Sequence, residues 1–415
     1  MSLKLLIVII IAIAIVASLL VYFYLFGESR NSAAPSRGEA DEESPIINPA
    51  EGVVPESEIR EAGEVSKAGS YEQAAFVVSE EDAASRLEKF QKIIASATVA
   101  PTLSADKKRI LYYDAIEKNF YAAAFTGTDP IEMTGEDFTE VDIDEIVWAP
   151  NKDKLVYKTL DDEKIFFKIG DEVSKELSSN ISNYVFSNDS VSLFYKYTDG
   201  NKSNISRGTP ESGLADFRSI KDVMATDVVL RRVPNEEFIA YFLPPNGRRE
   251  AGVNKVSYDG SITEVVLNKG YGVDAVWSLD GDKVVFSRTN SKGVVKLFVG
   301  DGNGLHEIDT ELTTFVDKTA WSKDGKLLYA AVPETILDVE KYYGKKIKTK
   351  DKLYEINTGS GAATLLLDFA AFDEKIDMRD MFLTDGGNLL YFRNNYDDSV
   401  YVVNIKKIKE EMEEI

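Results

Sequence analysis

A short apolar strand, a polar turn and a second apolar strand recur along the chain, and the sharpest copy is WSLDGDKVVF at 277–286. In this copy Asp280 and Gly281 separate two apolar runs. Asp-Gly in that position is a strong hairpin signal, because glycine adopts a positive φ without steric cost. A second copy, WSKDGKLLYA, begins at Trp321. The pattern therefore predicts β-hairpins that repeat along the chain.

Seven units share this pattern. The positions that end the first strand of each unit, called anchors here, are Leu103, Trp148, Phe186, Arg232, Trp277, Trp321 and Phe382. Subtraction of successive anchor numbers gives spacings of 45, 38, 46, 45, 44 and 61 residues. An Asp or Asn follows each anchor after three residues, and an aromatic residue follows six of them after nine. A period of roughly 40–45 residues with four short strands is typical of a β-propeller blade. An all-β domain with frequent hairpins is the alternative.

The unit W-S-x-D-G-[DK], followed by an apolar strand with an aromatic residue, resembles the TolB-type propeller repeat. It also resembles the propeller domain of the dipeptidyl-peptidase IV family, but lacks the Gly-His opening and Trp-Asp ending of WD repeats. The resemblance covers about residues 87–408 and implies an all-β, seven-bladed β-propeller. In that peptidase family a catalytic α/β-hydrolase domain follows the propeller, whereas only a charged stretch follows the last unit here. We therefore expect no peptidase activity.

The chain begins with an apolar segment, residues 5–26, which carries no formally charged side chain. At ~1.5 Å per residue this segment is long enough to cross a bilayer core of ~30 Å as a helix. Lys4 precedes it, and Tyr22 and Tyr24 fall where an interfacial aromatic belt would lie. The pattern predicts a transmembrane anchor over 1–26, with a cytoplasmic N-terminus and the propeller in the periplasm or at the cell surface. A cleaved signal peptide is the alternative, although its apolar region is usually shorter.

Residues 27–83 hold 4 basic and 14 acidic side chains and few bulky apolar ones. Such a segment cannot bury enough apolar surface to offset its ordering entropy, so we predict an acidic flexible linker. The propeller is expected over 84–408 and a charged tail over 409–415. Because an open ring would leave an unpaired sheet edge, Leu87–Gln91 is predicted to supply the outer strand of the seventh blade. The net charge of −22 argues against nucleic-acid binding through phosphates.

No residue set in the sequence points to catalysis or to a bound cofactor or metal. The single histidine, His306, has no Ser-His-Asp set around it, and no G-x-S-x-G motif or cysteine occurs. The Asp301-Gly-Asn-Gly turn begins like a calcium loop, but Leu305 and Leu312 occupy ligand positions. Turn chemistry explains it better. We expect a protein that is not an enzyme and has no cofactor.

Charged residues cluster where the inner strands begin, a few positions before the anchors. Inner strands line the central channel of a propeller, so these side chains are predicted to ring one of its mouths. They are Asp144, Glu145, Asn183, Asp274, Asp317, Lys318 and Arg379. A solvated loop edge without a binding role is the alternative.

The spacing of 61 before Phe382 reflects a long segment between the second and third strands of the sixth unit, Pro333–Asp351. This insertion concentrates basic and aromatic residues in an otherwise acidic chain: Lys341, Tyr342, Tyr343, Lys345, Lys346, Lys348 and Lys350. Propeller topology places the insertion and the inner-strand starts on the same face. Because such residues suit partner contacts, we expect a protein-binding surface here, and expect removal of the insertion to spare the fold. A solvated excursion is the alternative.

These observations predict a membrane-anchored extracytoplasmic propeller that acts as a non-catalytic interaction or scaffold module of a cell envelope. A propeller hydrolase, or a carbohydrate- or peptide-binding receptor that uses the acidic channel mouth, is the alternative. A deep pocket that holds carboxyl groups of raised pKa would favour the hydrolase.

The orientation of the predicted anchor can be tested with reporter fusions after Ile415. A reporter that is active only in the periplasm should give signal, because the propeller follows the exported end of the anchor. A reporter that is active only in the cytoplasm should be silent. The opposite pattern would reverse the predicted localisation.

Overall fold

The computed structural model describes residues 78–135, 138, 141–170, 173–225, 227–335, 338–372 and 374–414. The predicted anchor over 1–26 and the linker up to residue 77 lie outside these ranges. No helix within the ranges is long and apolar enough to span a membrane.

The described residues form seven four-stranded antiparallel sheets, the blades, numbered here along the chain. The first strand of the chain, β1 (Phe90–Ile94), belongs to the last blade. Blade 1 contains β2 (Thr98–Leu103), β3 (Ile110–Asp114), β4 (Asn119–Ala123) and β5 (Ile131–Glu132). Blade 2 contains β6 (Ile143–Trp148), β7 (Lys154–Thr159), β8 (Lys164–Lys168) and β9 (Val173–Leu177). Blade 3 contains β10 (Ile181–Phe186), β11 (Leu193–Asp199), β12 (Lys202–Gly208) and β13 (Arg218–Asp222).

Blade 4 contains β14 (Val229–Arg232), β15 (Phe238–Phe242), β16 (Glu250–Ser257) and β17 (Thr263–Tyr271). Blade 5 contains β18 (Asp274–Trp277), β19 (Lys283–Thr289), β20 (Val295–Asp301) and β21 (Ile308–Asp309). Blade 6 contains β22 (Thr319–Trp321), β23 (Leu327–Pro333), β24 (Asp351–Asn357) and β25 (Ala363–Asp368). Blade 7 contains β26 (Met378–Leu383), β27 (Leu389–Asn394), β28 (Val400–Asn404) and β1. The α-helices are α1 (Glu80–Arg86), α2 (Val339–Tyr343) and α3 (Ile405–Glu413).

The anchors predicted from the repeat end the innermost strands. Six of the seven are the last residue of their strand, and Phe382 is the last but one of β26. The aromatic residue nine positions later lies within the second strand rather than at its end. Tyr195, for example, is followed by four more residues of β11, because the hairpin with β12 stays paired out to Asp199 and Lys202. The seven-bladed propeller predicted from the TolB-like repeat is confirmed.

The turn after each inner strand explains why serine and aspartate recur in the repeat. In blade 5 the Ser278 hydroxyl donates to Asp280 Oδ1 and accepts a hydrogen bond from the Lys283 backbone N–H at 3.0 Å. Gly281 has φ +80°, and a Cβ there would lie 2.3 Å from the Pro234 carbonyl oxygen of the preceding blade. Glycine is therefore required both by the backbone conformation and by the close approach of the two blades.

The core lies between adjacent blades, which is why the second strands are apolar on both faces. All five residues of β3 are buried. Trp277, at the end of β18, packs against Phe242 and Val253 of blade 4 and Phe286 of its own blade. Burial of an aromatic side chain between two sheets stabilises both, so each blade depends on its neighbours.

The ring is closed by the N-terminal strand, as predicted. β1 pairs antiparallel with β28, with Phe90 opposite Val403 and Lys92 opposite Tyr401. The strand begins at Phe90 rather than at the predicted Leu87, because Leu87 instead is the C-cap residue of α1 and is buried.

Further contacts hold the closing segment in place. The Glu80 carboxylate accepts backbone hydrogen bonds from Gly386 and Asn388 at 2.8 and 2.9 Å. The Asn404 side-chain amide donates to the Ala84 carbonyl at 2.7 Å. Both ends of the propeller are therefore joined by side-chain contacts as well as by strand pairing.

Substitution of Phe90 by alanine should open this closure. The Phe90 ring packs 4.9 Å from Phe369 and 5.4 Å from Tyr401, centroid to centroid, so we expect a loss of ~3–5 kcal/mol in the free energy of unfolding. Urea denaturation measures it. Phe217→Ala, at a ring that is 57% exposed, is the control and should change stability little. Equal effects of the two substitutions would contradict a closing role for β1.

Candidate functional site

The insertion of blade 6 folds over the inner-strand starts of the neighbouring blades. It leaves β23 at Pro333 and returns at Asp351, the first residue of β24, as predicted. The Tyr342 hydroxyl donates to Asp317 Oδ1 at 2.7 Å, and the Tyr343 hydroxyl donates to Asp274 Oδ2 at 2.9 Å. The insertion and the channel mouth therefore share one surface, and they are bonded to each other.

A short helix gives the insertion its shape. Asp338 caps α2 by accepting a hydrogen bond from the Lys341 backbone N–H at 2.9 Å. Tyr342 stacks on Phe315, with ring centroids 3.7 Å apart, and Tyr343 meets the edge of the same ring. These contacts bury one face of α2 and fix its position, so the insertion packs on the propeller rather than extending freely into solvent.

Arg379, at the start of β26, joins blade 7 to this arrangement. Its guanidinium donates to Asp317 Oδ2 at 2.7 Å and also to the Tyr342 hydroxyl. Burial, reinforced by the nearby Asp317 carboxylate, raises the pKa of Tyr342 well above its ordinary value. Tyr342 therefore remains a neutral hydrogen-bond donor, and Asp317 accepts from both it and Arg379.

A buried ion-pair cluster lies beneath the insertion. Lys318 Nζ lies 2.6 Å from Asp351 Oδ2 and 2.7 Å from Asp377 Oδ1, and all three side chains are fully buried. Burial alone would raise the pKa of Asp377, but the Lys318 ammonium and the Arg379 guanidinium hold it at about 2. Burial raises the pKa of Asp351. The cluster ties the end of the insertion to the entry of blade 7.

Three residues predicted as partner contacts are therefore unavailable to a partner at this surface. Lys318 is 0% exposed and its ammonium is enclosed by two carboxylates. Asp274 is 1% exposed, since Tyr343 covers it, and Tyr342 is 2% exposed. Tyr343 itself is half-buried. The sequence predicted these side chains at the solvent-exposed mouth of the channel, but the insertion covers that part of the mouth. Their contacts therefore fix the position of the insertion.

The remaining predicted residues of the mouth line a cleft of about 540 Å³. Two lysines of the insertion and the starts of β2 and β6 contribute to its lining. The predicted residues in its lining are Asp144, Glu145, Asp317, Lys345, Lys348 and Arg379. Lys158 binds Asp144 at 2.7 Å and holds the pKa of that carboxyl below its usual range. Asn183 instead lines a neighbouring cleft of about 550 Å³, which also includes Glu145.

The five lysines of the insertion form no ion pair with a carboxylate among the described residues: Lys341, Lys345, Lys346, Lys348 and Lys350. All five are exposed. Lys348 Nζ lies 5.4 Å from the centre of the Tyr396 ring, within cation–π range. The insertion thus presents exposed positive charge beside the cleft.

Apart from Arg379, sequence reasoning missed the blade 7 residues that line the cleft. Arg393 binds Asp380 at 2.7 Å and also contacts Asp398, and all three line the cleft. Arg393 and Asp398 lie beyond the inner strand, on β27 and in the loop that follows it, so a search restricted to inner-strand starts could not include them. The available signal was Arg393 near the end of β27, followed by Asp397 and Asp398 in the next loop.

The single histidine of the chain lies away from this surface, in the turn after β20. His306 Nδ1 lies 2.9 Å from Asp301 Oδ2, and both side chains are exposed to solvent. Asp301 Oδ1 accepts the backbone N–H groups of Asn303 and Leu305, as expected of turn chemistry. Among the described residues no cluster of three or more His, Cys, Asp or Glu side chains is arranged for a metal ion.

No protein-family model matches the sequence, and no curated protein matches it either. Among solved structures, oligogalacturonate lyase from Vibrio parahaemolyticus aligns with a TM-score of 0.56 at 11% identity, over 79% of this chain and 95% of its own. An oligogalacturonate lyase in complex with manganese aligns with a TM-score of 0.55 at 12% identity, over 77% and 92%. TolB from Acinetobacter baumannii aligns with a TM-score of 0.43 at 12% identity, over 65% and 63%. At these identities the two lyase alignments show a shared fold and nothing further.

The buried cluster generates a pH-dependent prediction. Asp377→Asn should lower the free energy of unfolding by ~3–5 kcal/mol at pH 7, because it breaks a buried ion pair. The pKa of Asp377 is about 2 in the folded protein, against an ordinary value of about 3.9 in an unfolded chain, so its ionised form stabilises the fold above about pH 4. This stabilisation is lost as the pH falls toward 2, so the difference in stability between the two proteins should narrow there.

Urea denaturation between pH 7 and pH 2 measures this difference. Asp385→Asn is the matched control, because it removes a carboxylate that pairs with Lys323 at 2.7 Å at an exposed site. That pair is expected to contribute at most ~1 kcal/mol. A stability difference between wild type and Asp377→Asn that stays constant down to pH 2 would contradict the assigned ion pair.

Proposed function

We propose that this chain is a non-catalytic protein-interaction module of a cell envelope, with its propeller held outside the membrane by residues 5–26. The binding surface is the insertion together with the adjoining cleft, and the partner presents acidic residues. The observation that carries the proposal is the group of exposed, unpaired lysines on an element that is seated by buried contacts. These are Lys341, Lys345, Lys346, Lys348 and Lys350.

Both the charge and the rigidity of the insertion support this function. In a chain of net charge −22, a patch of free ammonium groups attracts an acidic partner and favours one orientation over others. The stacking of Tyr342 on Phe315 and the bond from Tyr343 to Asp274 fix the insertion in advance. A fixed surface loses less conformational entropy on binding than a flexible one.

The carboxyl groups favour an interaction module over a hydrolase. Burial raises the pKa of Asp274 and Asp351, but neither lines the cleft. Asp144, which does line it, has a lowered pKa because it binds Lys158. A hydrolytic carboxyl pair needs one member that stays protonated near neutral pH and faces the substrate. Asp144 is instead held in its ionised form near neutral pH.

Charge reversal tests the surface better than removal of the insertion. Removal was expected to spare the fold, but it would also expose Phe315 and leave buried Asp274 without its tyrosine partner. The triple variant Lys345→Glu, Lys346→Glu and Lys348→Glu changes exposed side chains only. It keeps Tyr342, Tyr343 and the buried cluster unchanged.

Cross-linking of envelope proteins to the full-length chain identifies the partner, and the affinity of that purified partner is then measured. The triple variant should weaken binding by about tenfold or more, and the difference should shrink at high salt, since exposed charges are screened beyond ~10 Å at 0.1 M.

The matched control is Lys175→Glu, Lys202→Glu and Lys292→Glu, which makes the same change in net charge at exposed lysines on other blades. The control should bind like wild type. Equal losses in both triple variants would show an effect of net charge alone. Unchanged binding in the insertion variant would remove the insertion from the proposed surface.

A further inference from the structure

A second group of cations lies at the opposite end of the inner strands. Lys152 follows the anchor of blade 2 by four residues, and Arg232 is the anchor of blade 4. The six residues of β6 span about 20 Å at ~3.3 Å per residue, which separates this end of the channel from the insertion. The Lys152 ammonium donates to Thr102 Oγ1 of blade 1 at 3.0 Å. We call Thr102, Lys152 and Arg232 the cationic channel end.

These residues come from blades that are not all neighbours. The charges of Lys107 in blade 1 and Arg232 in blade 4 both act on Lys152. Blade 3 lies between blades 2 and 4 in the ring, so the charge of Arg232 reaches Lys152 from a blade that is not its neighbour. Lys152 also bonds across to blade 1. Cations from blades 1, 2 and 4 therefore act on one another at this end of the inner strands.

No carboxylate compensates them within the described part of the chain. Arg232 makes no ion pair or hydrogen bond there, and the one hydrogen bond of the Lys152 ammonium goes to Thr102. Both side chains are half-buried. Burial, together with the like charges of Lys107 and Arg232, lowers the pKa of Lys152 to about 7. Cations that are partly removed from water without a counter-charge are costly, and an anion bound between them offsets that cost.

We propose that the cationic channel end binds an oxyanion, either a carboxylate or a phosphate-type group, between the Arg232 guanidinium and the Lys152 ammonium. The planar guanidinium matches two oxygens of either group, and the ammonium adds a point charge. Thr102 Oγ1 accepts from Lys152, which leaves its own hydrogen free to donate to the same ligand. The site lies away from the proposed protein-binding surface and does not depend on it.

Isothermal titration calorimetry with the full-length chain tests this site, with sulfate, inorganic phosphate and succinate as probes. Saturable binding of the tetrahedral anions alone indicates a phosphate-type ligand, and binding of succinate alone indicates a carboxylate. Arg232→Met and Lys152→Met should each weaken binding by about tenfold or more. Lys202→Met and Arg249→Met remove matched charges from exposed positions and should leave it unchanged. Thermal melts check that the variants are folded.

The pH dependence separates a specific site from general attraction. The charged groups that act on Lys152 are Lys107 and Arg232. The charge of sulfate does not change between pH 6 and 8. Sulfate should bind more tightly at pH 6 than at pH 8, because Lys152 carries its proton below its pKa of about 7. Lys152→Arg should remove this pH dependence while retaining binding. Absence of saturable binding by all three probes, or variants that bind like wild type, would overturn the proposal.

Discussion

The pairing of β1 with β28 is the constraint on which the rest of the molecule depends. Each blade buries its apolar faces only against its neighbours, so an open ring would leave two blades with one face uncovered. The closing strand removes that defect, and Phe90 adds aromatic contacts to Phe369 and Tyr401. A closed ring also fixes the distance between blades across the channel. Surfaces built from several blades, such as the cleft, need that fixed geometry.

The insertion adds a second set of contacts between blades, at the mouth of the channel where the inner strands begin. Lys318, Asp351 and Asp377 join the inner strand of blade 6, the return of the insertion and the entry of blade 7 in one buried cluster. Tyr342 and Tyr343 then bond the insertion to Asp317 and Asp274. The buried charges link the end of the insertion to blade 7, since the Lys318 ammonium donates to both carboxylates. The exposed lysines are thereby held in one position relative to the cleft.

The fold could be predicted from the sequence because its signals are local. Trp277, Ser278 and Asp280 form one turn, so the motif that reveals the hairpin also contains the atoms that stabilise it. The site residues were found by type and place, but their roles were not. Lys318 contacts Asp351 and Asp377, which are 33 and 59 residues away. No local pattern distinguishes a buried lysine with distant partners from an exposed one at a channel rim.

The cations without carboxylate partners lie in two environments, and the free-energy cost of leaving a cation unpaired differs between them. Carboxylates outnumber cations by 70 to 48 in this chain, so a cation stays unpaired because of where it is placed and not for lack of acids. On the insertion, water solvates the free ammonium groups, and leaving them unpaired costs little. At the channel end, Arg232 and Lys152 are half-buried, and the lowered pKa of Lys152 shows that its charged form is disfavoured there. The channel end therefore has the greater need for an external anion.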